Sequence, residues 1–297
     1  MTNIRLRQLD VFVAVATEGS VSRASERLHL TQPAASMALS GLEQALGTPL
    51  FDRQHGRLHL NTQGRELLPQ AREILERVRD MENHAGGAAQ KLQGELRIGA
   101  SNTIGNYLVG DLLGPFALQH PQVTLRLQVD NTHDITQAVL NHRLDIACVE
   151  GIVNEPRLDR LFWRHDALSL YAQPDDPLTR HSTLTPQDFA DARWILREPG
   201  SAMRTLAEQA MDQLAPGRIV LELGQVEAIK HAVIAGLGIS FLPQAAARDA
   251  VAAGRLVALA TPFLDMNRRF VLITPHTRYR GTLLDAFIDS LGIPASD

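Results

Sequence analysis

Residues 20–53 constrain the fold of this chain more than any other segment. Ser20 can cap a helix that runs to about Leu28, and Thr31 can cap a second helix. Pro33 stands in the first turn of that second helix, where a missing amide hydrogen does no harm. Small and apolar residues at helical spacing would let the two helices cross closely; they are Ala24, Leu28, Ala35, Leu39 and Leu42. The pattern predicts a helix-turn-helix.

A short hairpin pattern follows the two helices. Residues 50–54 and 57–60 alternate apolar and polar side chains on either side of Gly56. Two capped helices alone would also fit an ordinary helical hairpin in an enzyme. The added hairpin instead favours a winged helix-turn-helix, whose second helix enters the major groove of DNA.

The candidate DNA contacts lie on the second helix, beside it and in the wing. Gln32 can read a base edge through its amide, and Ser36 can bond to a base or a phosphate. The wing arginines are available to phosphates or to the minor groove. The predicted DNA-binding residues are Ser22, Thr31, Gln32, Pro33, Ser36, Ser40, Arg53 and Arg57.

The distribution of charge agrees with DNA binding, though modestly. The chain of 297 residues has a net charge of −4, yet residues 1–65 hold seven Arg against five acidic residues. Positive charge therefore concentrates where DNA would bind. The length allows two or three domains, and a hydrophobic content of 44% is ordinary for a globular protein.

A heptad pattern follows the wing. Apolar residues alternate in steps of four and three, namely Leu67, Ala71, Ile74, Val78, Met81 and Ala85. From spacing alone, this pattern fits two structures equally well: a long helix that pairs with its twin, and an amphipathic helix packed on its own domain. Pro69 is expected to kink or delimit the first turns. Gly86, Gly87 and Gly94 then bracket a polar stretch typical of a hinge.

From residue 94 onward, short strand patterns alternate with helical patterns such as 104–119 and 227–235. This alternation predicts parallel sheets of the doubly wound kind. About 200 residues of this type fit two small α/β lobes joined by crossover strands. The strand candidates are ELRIGA, VTLRLQV, LDIACV, LSLYAQ, RWIL, RIVLEL, GISFL and RFVLIT.

Polar loops follow strand candidates in both predicted lobes. Ligands of open α/β sheets bind beyond the carboxyl ends of the strands, where hydroxyls and backbone amides suit an anion. Simple helix capping is the alternative for either loop taken singly. The predicted effector-binding residues are Ser101, Asn102, Thr103, Glu150, Ser201 and Arg204.

Glu150 directly follows the strand candidate LDIACV and would lie in the same crevice. A carboxylate near an anion is unfavourable unless it accepts hydrogen bonds from the ligand. Its presence therefore indicates a protonated oxyanion, a hydroxylated acid or a ligand with an amine. A surface cap is the alternative role for Glu150.

The N-terminal part resembles the DNA-binding domain of LysR-type transcriptional regulators. The resemblance rests on the run LRQLDVFVAVATEGSVSRASERLHLTQPAASMALSGLEQALGTPLFDR, and the order of the parts extends it over the whole length. It implies a winged helix-turn-helix domain (1–61), a dimerising linker helix (62–90) and a two-lobed α/β effector-binding domain (94–297) similar to periplasmic solute-binding proteins. Lobe 1 would comprise about 94–166 and 268–297, and lobe 2 about 167–267.

The resemblance also implies partners. These are double-stranded DNA, a small anionic effector and further copies of the chain in a homodimer or homotetramer. The loops SNTIGNY, WILREPGS and ELGQVEAIKHAVIAGLGIS look most like a subgroup associated with sulfur oxyanion and related small-acid metabolism. The predicted function is regulation of transcription in response to that effector.

Other classes of function have little support. The motifs G-x-S-x-G, G-x-x-x-x-G-K and H-E-x-x-H are absent, as is a complete G-x-G-x-x-G, so we expect no enzyme and no cofactor. A solute-binding protein for import is the main alternative, but it would need a signal peptide and would not need residues 20–60. A metabolic enzyme on the same two-lobed fold is a third possibility.

Two further expectations concern location and the lone cysteine. The start MTNIRLRQLD has no apolar core after its charges, and no run approaches 18 apolar residues, so we expect a cytoplasmic protein without a membrane partner. Cys148 cannot form an internal disulfide or a multi-cysteine metal site. Its apolar surroundings favour a buried structural thiol over a redox sensor.

Overall fold

A computed structural model describes residues 3–54, 57–85 and 92–293, without the side chains of 53, 54, 57, 83 and 84. The chain divides into two compact units. Unit 1 comprises Met1–Gln90 and Arg278–Thr282, and unit 2 comprises Lys91–Thr277 and Leu283–Asp297. The hinge glycines 86 and 87 and the wing-turn residues 55 and 56 lie outside the described residues.

Unit 1 contains the predicted helix-turn-helix and wing. Its elements are α1 (Leu6–Glu18), α2 (Val21–Arg27), α3 (Gln32–Leu46), β1 (Phe51–Gln54), β2 (Arg57–Leu60) and α4 (Thr62–Ala85). The strands β1 and β2 pair in antiparallel fashion, with Phe51 opposite Leu60. Gly47 ends α3 with a φ of 70°, a left-handed conformation that favours glycine.

The two predicted helix caps differ in their chemistry. Thr31 caps α3 as expected, because its side chain accepts a hydrogen bond from the backbone amide of Ala34. Ser20 occupies the N-cap position of α2, but its side chain makes no capping hydrogen bond. The carbonyl of Ser20 accepts from the amide of Ala24 at 3.0 Å, so the backbone alone begins this helix.

An apolar core joins the helices of unit 1 to the wing. Ala24 and Ala35 are fully buried, which lets α2 and α3 approach closely. Phe12 of α1 meets Phe51 of β1 edge to face, with ring centroids 5.7 Å apart. The wing is thus fixed to the helices by aromatic packing.

α4 has a buried face and an exposed apolar face. It runs through Pro69 as one helix, and Ala71 and Leu75 on its buried face pack into the core of unit 1. The buried position of Ala71 contradicts its place in the predicted dimer seam, since its side chain is used within its own unit. Ile74 is 44% exposed and Met81 71% exposed, so an exposed apolar stripe is confined to the second half of the helix.

Unit 2 consists of two α/β lobes that share one long strand. Lobe 1 has a sheet in the order β6, β11, β5, β3, β4, in which β3 is parallel to β4 and β5 while β11 is antiparallel to β5 and β6. Its elements are β3 (Gly94–Ser101), α5 (Asn102–Tyr107), α6 (Val109–Gln119), β4 (Val123–Asp130), α7 (Thr132–Leu140), β5 (Ile146–Glu150), β11 (Asn267–Pro275) and α11 (Thr282–Ser290).

The long strand β6 (Leu158–Ala172) crosses from lobe 1 to lobe 2. Residues 158–167 of β6 pair with β11, and residues 168–172 pair with the lobe 2 strands β9 and β10. Because β11 and α11 belong to lobe 1, the C-terminal part of the chain returns to the first lobe as predicted. Lobe 2 further contains β7 (Arg193–Arg197), α8 (Ala202–Met211), β8 (Arg218–Leu223), α9 (Val226–Ile234), β9 (Ser240–Pro243), α10 (Gln244–Ala252) and β10 (Val257–Leu259).

Each lobe has its own apolar core. Helix α7 packs on one face of the lobe 1 sheet, while Phe116 and Phe287 meet on the other with centroids 5.5 Å apart. In lobe 2, Trp194 lies between Phe189 and Phe241 in two near-parallel ring contacts. Within the described residues, no helix is long and apolar enough to span a membrane.

Candidate functional site

The outward face of α3 is a candidate nucleic-acid interface. Gln32, Pro33, Ser36 and Ser40 are exposed, while Ala35, Leu39 and Leu42 are buried on the opposite face. Apolar packing of that buried face holds the helix on α1 and α2 and leaves the polar residues available. Exposed side chains on one face of a capped second helix meet the geometric requirement for groove contact.

The remaining predicted DNA contacts lie in different surroundings. Ser22 is half-buried in α2, and Thr31 is exposed but uses its oxygen to cap α3. Arg53 and Arg57 belong to the paired strands β1 and β2, and their side chains are outside the described residues. Met37 was missed by the sequence analysis, although it is 76% exposed on the outward face of α3.

The second candidate site lies at the carboxyl ends of β3 and β5 in lobe 1. Ser101, Asn102 and Thr103 are all buried, and Ser101 ends β3 with a hydroxyl that has no hydrogen-bond partner among the described residues. Thr103 is engaged, because its Oγ1 accepts a hydrogen bond of 3.2 Å from Arg268 Nη2. Glu150 ends β5 and is almost completely buried.

Arg268 joins these polar residues in a buried ion triad that the sequence analysis missed. Its Nη1 lies 2.6 Å from Glu150 Oε2, and its Nη2 lies 2.6 Å from Asp166 Oδ2. One guanidinium thus contacts two acidic side chains, and Glu150 is ion-paired rather than isolated. The sequence did contain a signal for Arg268, which directly precedes the apolar strand candidate RFVLIT. An arginine that is buried beside such a strand requires a charged or polar partner.

In lobe 2, the candidate site residues lie at the end of β7 and at the start of α8. Arg197 is 1% exposed, and its Nε and Nη2 donate to Glu198 at 2.7 and 2.6 Å. The third nitrogen, Nη1, has no hydrogen-bond partner among the described residues, and the same holds for the buried hydroxyl of Ser201. Ser201 occupies the N-cap position of α8 without making a side-chain cap, so simple capping does not explain it.

Arg204 does not take the place that the sequence analysis gave it. Its guanidinium contacts Glu208, one helical turn along α8, at 2.6 Å and Glu222 of β8 at 2.7 Å. It also donates to the backbone carbonyl of Arg197. Both carboxylates are half-exposed, and Arg204 ties them to the backbone of Arg197. Arg197 is the buried cation of this loop.

Direct contacts bring the polar ends of the two lobes together. The amide of His133 in lobe 1 donates to the carbonyl of Gly200 in lobe 2 at 3.2 Å. Gly151, with a φ of +87°, lies so near Ala202 that a Cβ at position 151 would be 2.8 Å from the Ala202 side chain. The segments that follow Glu150 and precede Ser201 are therefore neighbours across the lobes.

A side-chain hydrogen bond also joins the lobes. Tyr107 of α5 donates to Glu227 of α9, which Lys230 contacts at 2.6 Å. Burial and this hydrogen bond raise the pKa of Tyr107 far above its usual value, so the phenol stays protonated as a donor. Burial alone would raise the pKa of Glu227, but hydrogen bonds from Lys230 and Tyr107 lower it overall, so its carboxylate stays charged.

Two family models match the chain and together span most of its length. Residues 6–65 match the bacterial regulatory helix-turn-helix protein of the lysR family, and residues 89–292 match the LysR substrate binding domain. The chain belongs to the LysR family of transcriptional regulators. It is accordingly a regulator of transcription and not an enzyme, as the sequence analysis predicted.

Individual LysR relatives match over nearly the full chain. The uncharacterized HTH-type transcriptional regulator YeiE of Escherichia coli K12 is 38% identical over 288 residues, which cover 97% of each protein. A full-length OxyR variant from Pseudomonas aeruginosa has a similar structure, with a TM-score of 0.77, 25% identity and coverage of 98% of this chain and 95% of that one. The regulatory domain of Synechocystis PCC6803 CcmR, solved in complex with 2-PG, covers 67% of this chain and 96% of its own, with 28% identity and a TM-score of 0.62.

The Cys148 thiol lies away from solvent in this LysR regulator. Cys148 is fully buried in β5, and burial raises the pKa of its thiol well above the usual value, which keeps it protonated. Among the described residues, no group of three or more His, Cys, Asp or Glu could hold a metal ion.

Proposed function

We propose that this LysR regulator binds its operator through α3 and the wing, and that a small anion held between the lobes of unit 2 modulates that binding. The proposal rests on one observation above all: among the described residues, buried hydrogen-bond donors without partners lie at the end of β3 in lobe 1 and at the end of β7 and the start of α8 in lobe 2. They are Ser101 Oγ, Ser201 Oγ and Arg197 Nη1. Buried polar groups are normally satisfied, so a ligand with acceptor atoms would complete them.

The chemistry of the donors favours a ligand with acceptor oxygens. Glu198 accepts hydrogen bonds from Nε and Nη2 of Arg197, and the remaining Nη1 presents a charge-assisted donor. Two hydroxyls beside it suit the oxygens of a compact oxyanion or a carboxylate. The complex of the CcmR regulatory domain with 2-PG supports ligand binding by a domain of this kind.

Glu150 restricts the ligand further in this proposal. Its carboxylate is already paired with Arg268, so it can accept a hydrogen bond from a ligand without remaining an unbalanced charge. A protonated oxyanion or a hydroxylated acid would supply that proton. Because the loops around this site resemble those of a subgroup associated with sulfur oxyanion and related small-acid metabolism, sulfur oxyanions and related small acids are the class that we propose to test first.

Ligand binding in this crevice would favour a closed arrangement of the lobes. Donors from both lobes would share one ligand, and the contacts from Tyr107 to Glu227 and from His133 to Gly200 already span the same crevice. A ligand changes operator affinity only by its differential affinity for the two conformations. We further propose that the regulator acts in the cytoplasm as a homodimer or homotetramer on an imperfect inverted repeat.

A thermal-shift screen tests the anion site. Sulfite, sulfate, thiosulfate, phosphate and common small carboxylic acids should include at least one compound that stabilises the full chain. Replacing Ser101 or Ser201 by Ala should lower the affinity for that compound by about ten- to a hundredfold, because each hydrogen bond to a charged group contributes roughly 1.5–3 kcal/mol. Binding is measured by isothermal titration calorimetry.

The matched control is Ser290→Ala, since the Ser290 hydroxyl donates to Phe287 within its own helix. This variant should bind the compound with wild-type affinity. Stabilisation by cationic or large apolar compounds alone would contradict the anion site. Equal affinity losses in all three serine variants would contradict the assigned residues.

The DNA contacts have a separate test. Gln32→Ala and Ser36→Ala should weaken binding to the operator more than binding to random duplex, because both side chains are proposed to contact base edges. Arg53→Ala should weaken binding to both duplexes and reduce the salt dependence, because it is proposed to contact phosphate. Fluorescence anisotropy over a range of salt concentrations measures these quantities. Equal losses on operator and random duplex in all three variants would contradict the roles.

A further inference from the structure

Met37 is exposed in a place where a large apolar side chain is unexpected. It is 76% exposed on the second helix of the helix-turn-helix, in a unit whose other apolar residues mostly pack inward. At about 100° per residue, Met37 lies about 200° around α3 from Ala35. It therefore points almost directly away from the buried face formed by Ala35, Leu39 and Leu42.

The exposed face of α3 has two parallel stripes. Gln32, Ser36 and Ser40 are separated by four residues and form a polar stripe, while Pro33 and Met37 are separated by four and form an apolar stripe beside it. Both stripes begin in the first turn of the helix. The same helix face thus offers hydrogen bonding and apolar contact side by side.

The major groove has one apolar group that such a stripe can recognise. Each base pair presents hydrogen-bond donors and acceptors there, and thymine alone among the standard bases adds a C5 methyl group. Methionine is unbranched and adapts its shape to small apolar surfaces. Contact with a methyl group would also remove the exposed Met37 side chain from water, which favours binding.

We propose that Met37 is a specificity-determining residue that contacts a thymine methyl group in each operator half-site, beside the bases or phosphates contacted by Gln32 and Ser36. This inference rests on the proposed function, in which α3 enters the major groove. It adds a base preference that hydrogen bonding does not provide. The operator should therefore contain a thymine at a fixed position in both half-sites.

The test removes only the methyl groups. The operator is first obtained by selecting duplexes from a random pool with the purified full-length protein. Each thymine is then replaced in turn by 2′-deoxyuridine, which keeps every hydrogen-bonding group of the base. At one position per half-site, the wild type should lose roughly fourfold in affinity, as expected for about one methyl group removed from apolar contact.

Variants of Met37 separate methyl contact from a structural role. Met37→Ala should bind the thymine duplex more weakly and should no longer distinguish it from the deoxyuridine duplex, whereas Met37→Leu should retain part of the distinction. Leu118→Ala is the control, because Leu118 is 87% exposed on α6 of unit 2. It should respond to each deoxyuridine duplex as the wild type does.

Failure of the Met37 proposal and failure of the proposed operator binding give different results. If the wild type binds a selected operator but no deoxyuridine substitution changes its affinity, or if Met37→Ala retains the full distinction, the role of Met37 is overturned while operator binding stands. If no duplex is enriched over random sequence, the proposed operator binding fails first. A retained distinction in Met37→Ala would assign the methyl contact to another residue of α3.

Discussion

Placing Asp at both Ile74 and Met81 should convert the assembly to monomers and lower operator affinity by at least about a hundredfold. Both side chains lie in the exposed apolar stripe on the second half of α4, one heptad apart. In a paired helix, Asp at these positions would bury like charges against each other. Two half-sites bound through one assembly gain about 10²–10⁴ in affinity over a single site, and that gain would be lost.

Sedimentation velocity measures the assembly, and anisotropy with one-half-site and two-half-site duplexes measures the affinity. Because both positions are exposed within unit 1, the variant should remain folded by circular dichroism. Leu118→Asp combined with Leu237→Asp is the control, since these residues of unit 2 are 87% and 44% exposed and the variant would receive the same two charges. An Ile74 and Met81 variant that sediments as the wild type does would exclude this stripe as an oligomerisation surface.

Local signals explain why unit 1 was predicted well. The capping residue Thr31, the proline at position 33 and the glycine that ends α3 act within a few residues of each other, so the sequence contains them directly. The wing strands also follow from alternation over four residues each. The sequence left open what the apolar face of α4 packs against, because heptad spacing is the same whether that face packs on another copy or on its own unit.

Unit 2 was predicted in outline and less well in detail. Every strand candidate forms at least part of a strand, but β6 begins at Leu158, well before the candidate LSLYAQ. Its first part carries charged residues such as Arg160 and Asp166, which obscure the apolar pattern of a strand. The expected helix over 104–119 is two helices, because Leu108 between them has a φ of −126° and leaves the helical region.

The effector-site residues illustrate the limit of sequence reasoning most clearly. Arg268 contacts Thr103, 165 residues away, and Asp166, 102 residues away, so no local pattern could pair them. Arg204 was predicted to bind the effector because it follows β7, but its guanidinium instead pairs with Glu208 and Glu222. Arg197, at the end of the same strand, was missed because a terminal strand residue can point to either side of the sheet.

The Arg268 ion triad should contribute the largest single stability effect in unit 2. Arg268→Ala should lower the free energy of unfolding by about 3–5 kcal/mol, because it leaves Glu150 and Asp166 without their buried cation. Both tryptophans of the chain, Trp163 and Trp194, belong to unit 2, so their fluorescence during urea denaturation reports on this unit alone.

Two variants distinguish loss of a buried charge from loss of any arginine. Arg204→Ala should cost at most about 1 kcal/mol, because its partners Glu208 and Glu222 are half-exposed and stay hydrated. Adding Glu150→Gln to Arg268→Ala should recover part of the lost stability, since one of the unpaired buried charges is then gone. Two results together would contradict the proposed role of the triad. They are equal losses of unfolding free energy in Arg268→Ala and Arg204→Ala, and no recovery of that free energy when Glu150→Gln is added to Arg268→Ala.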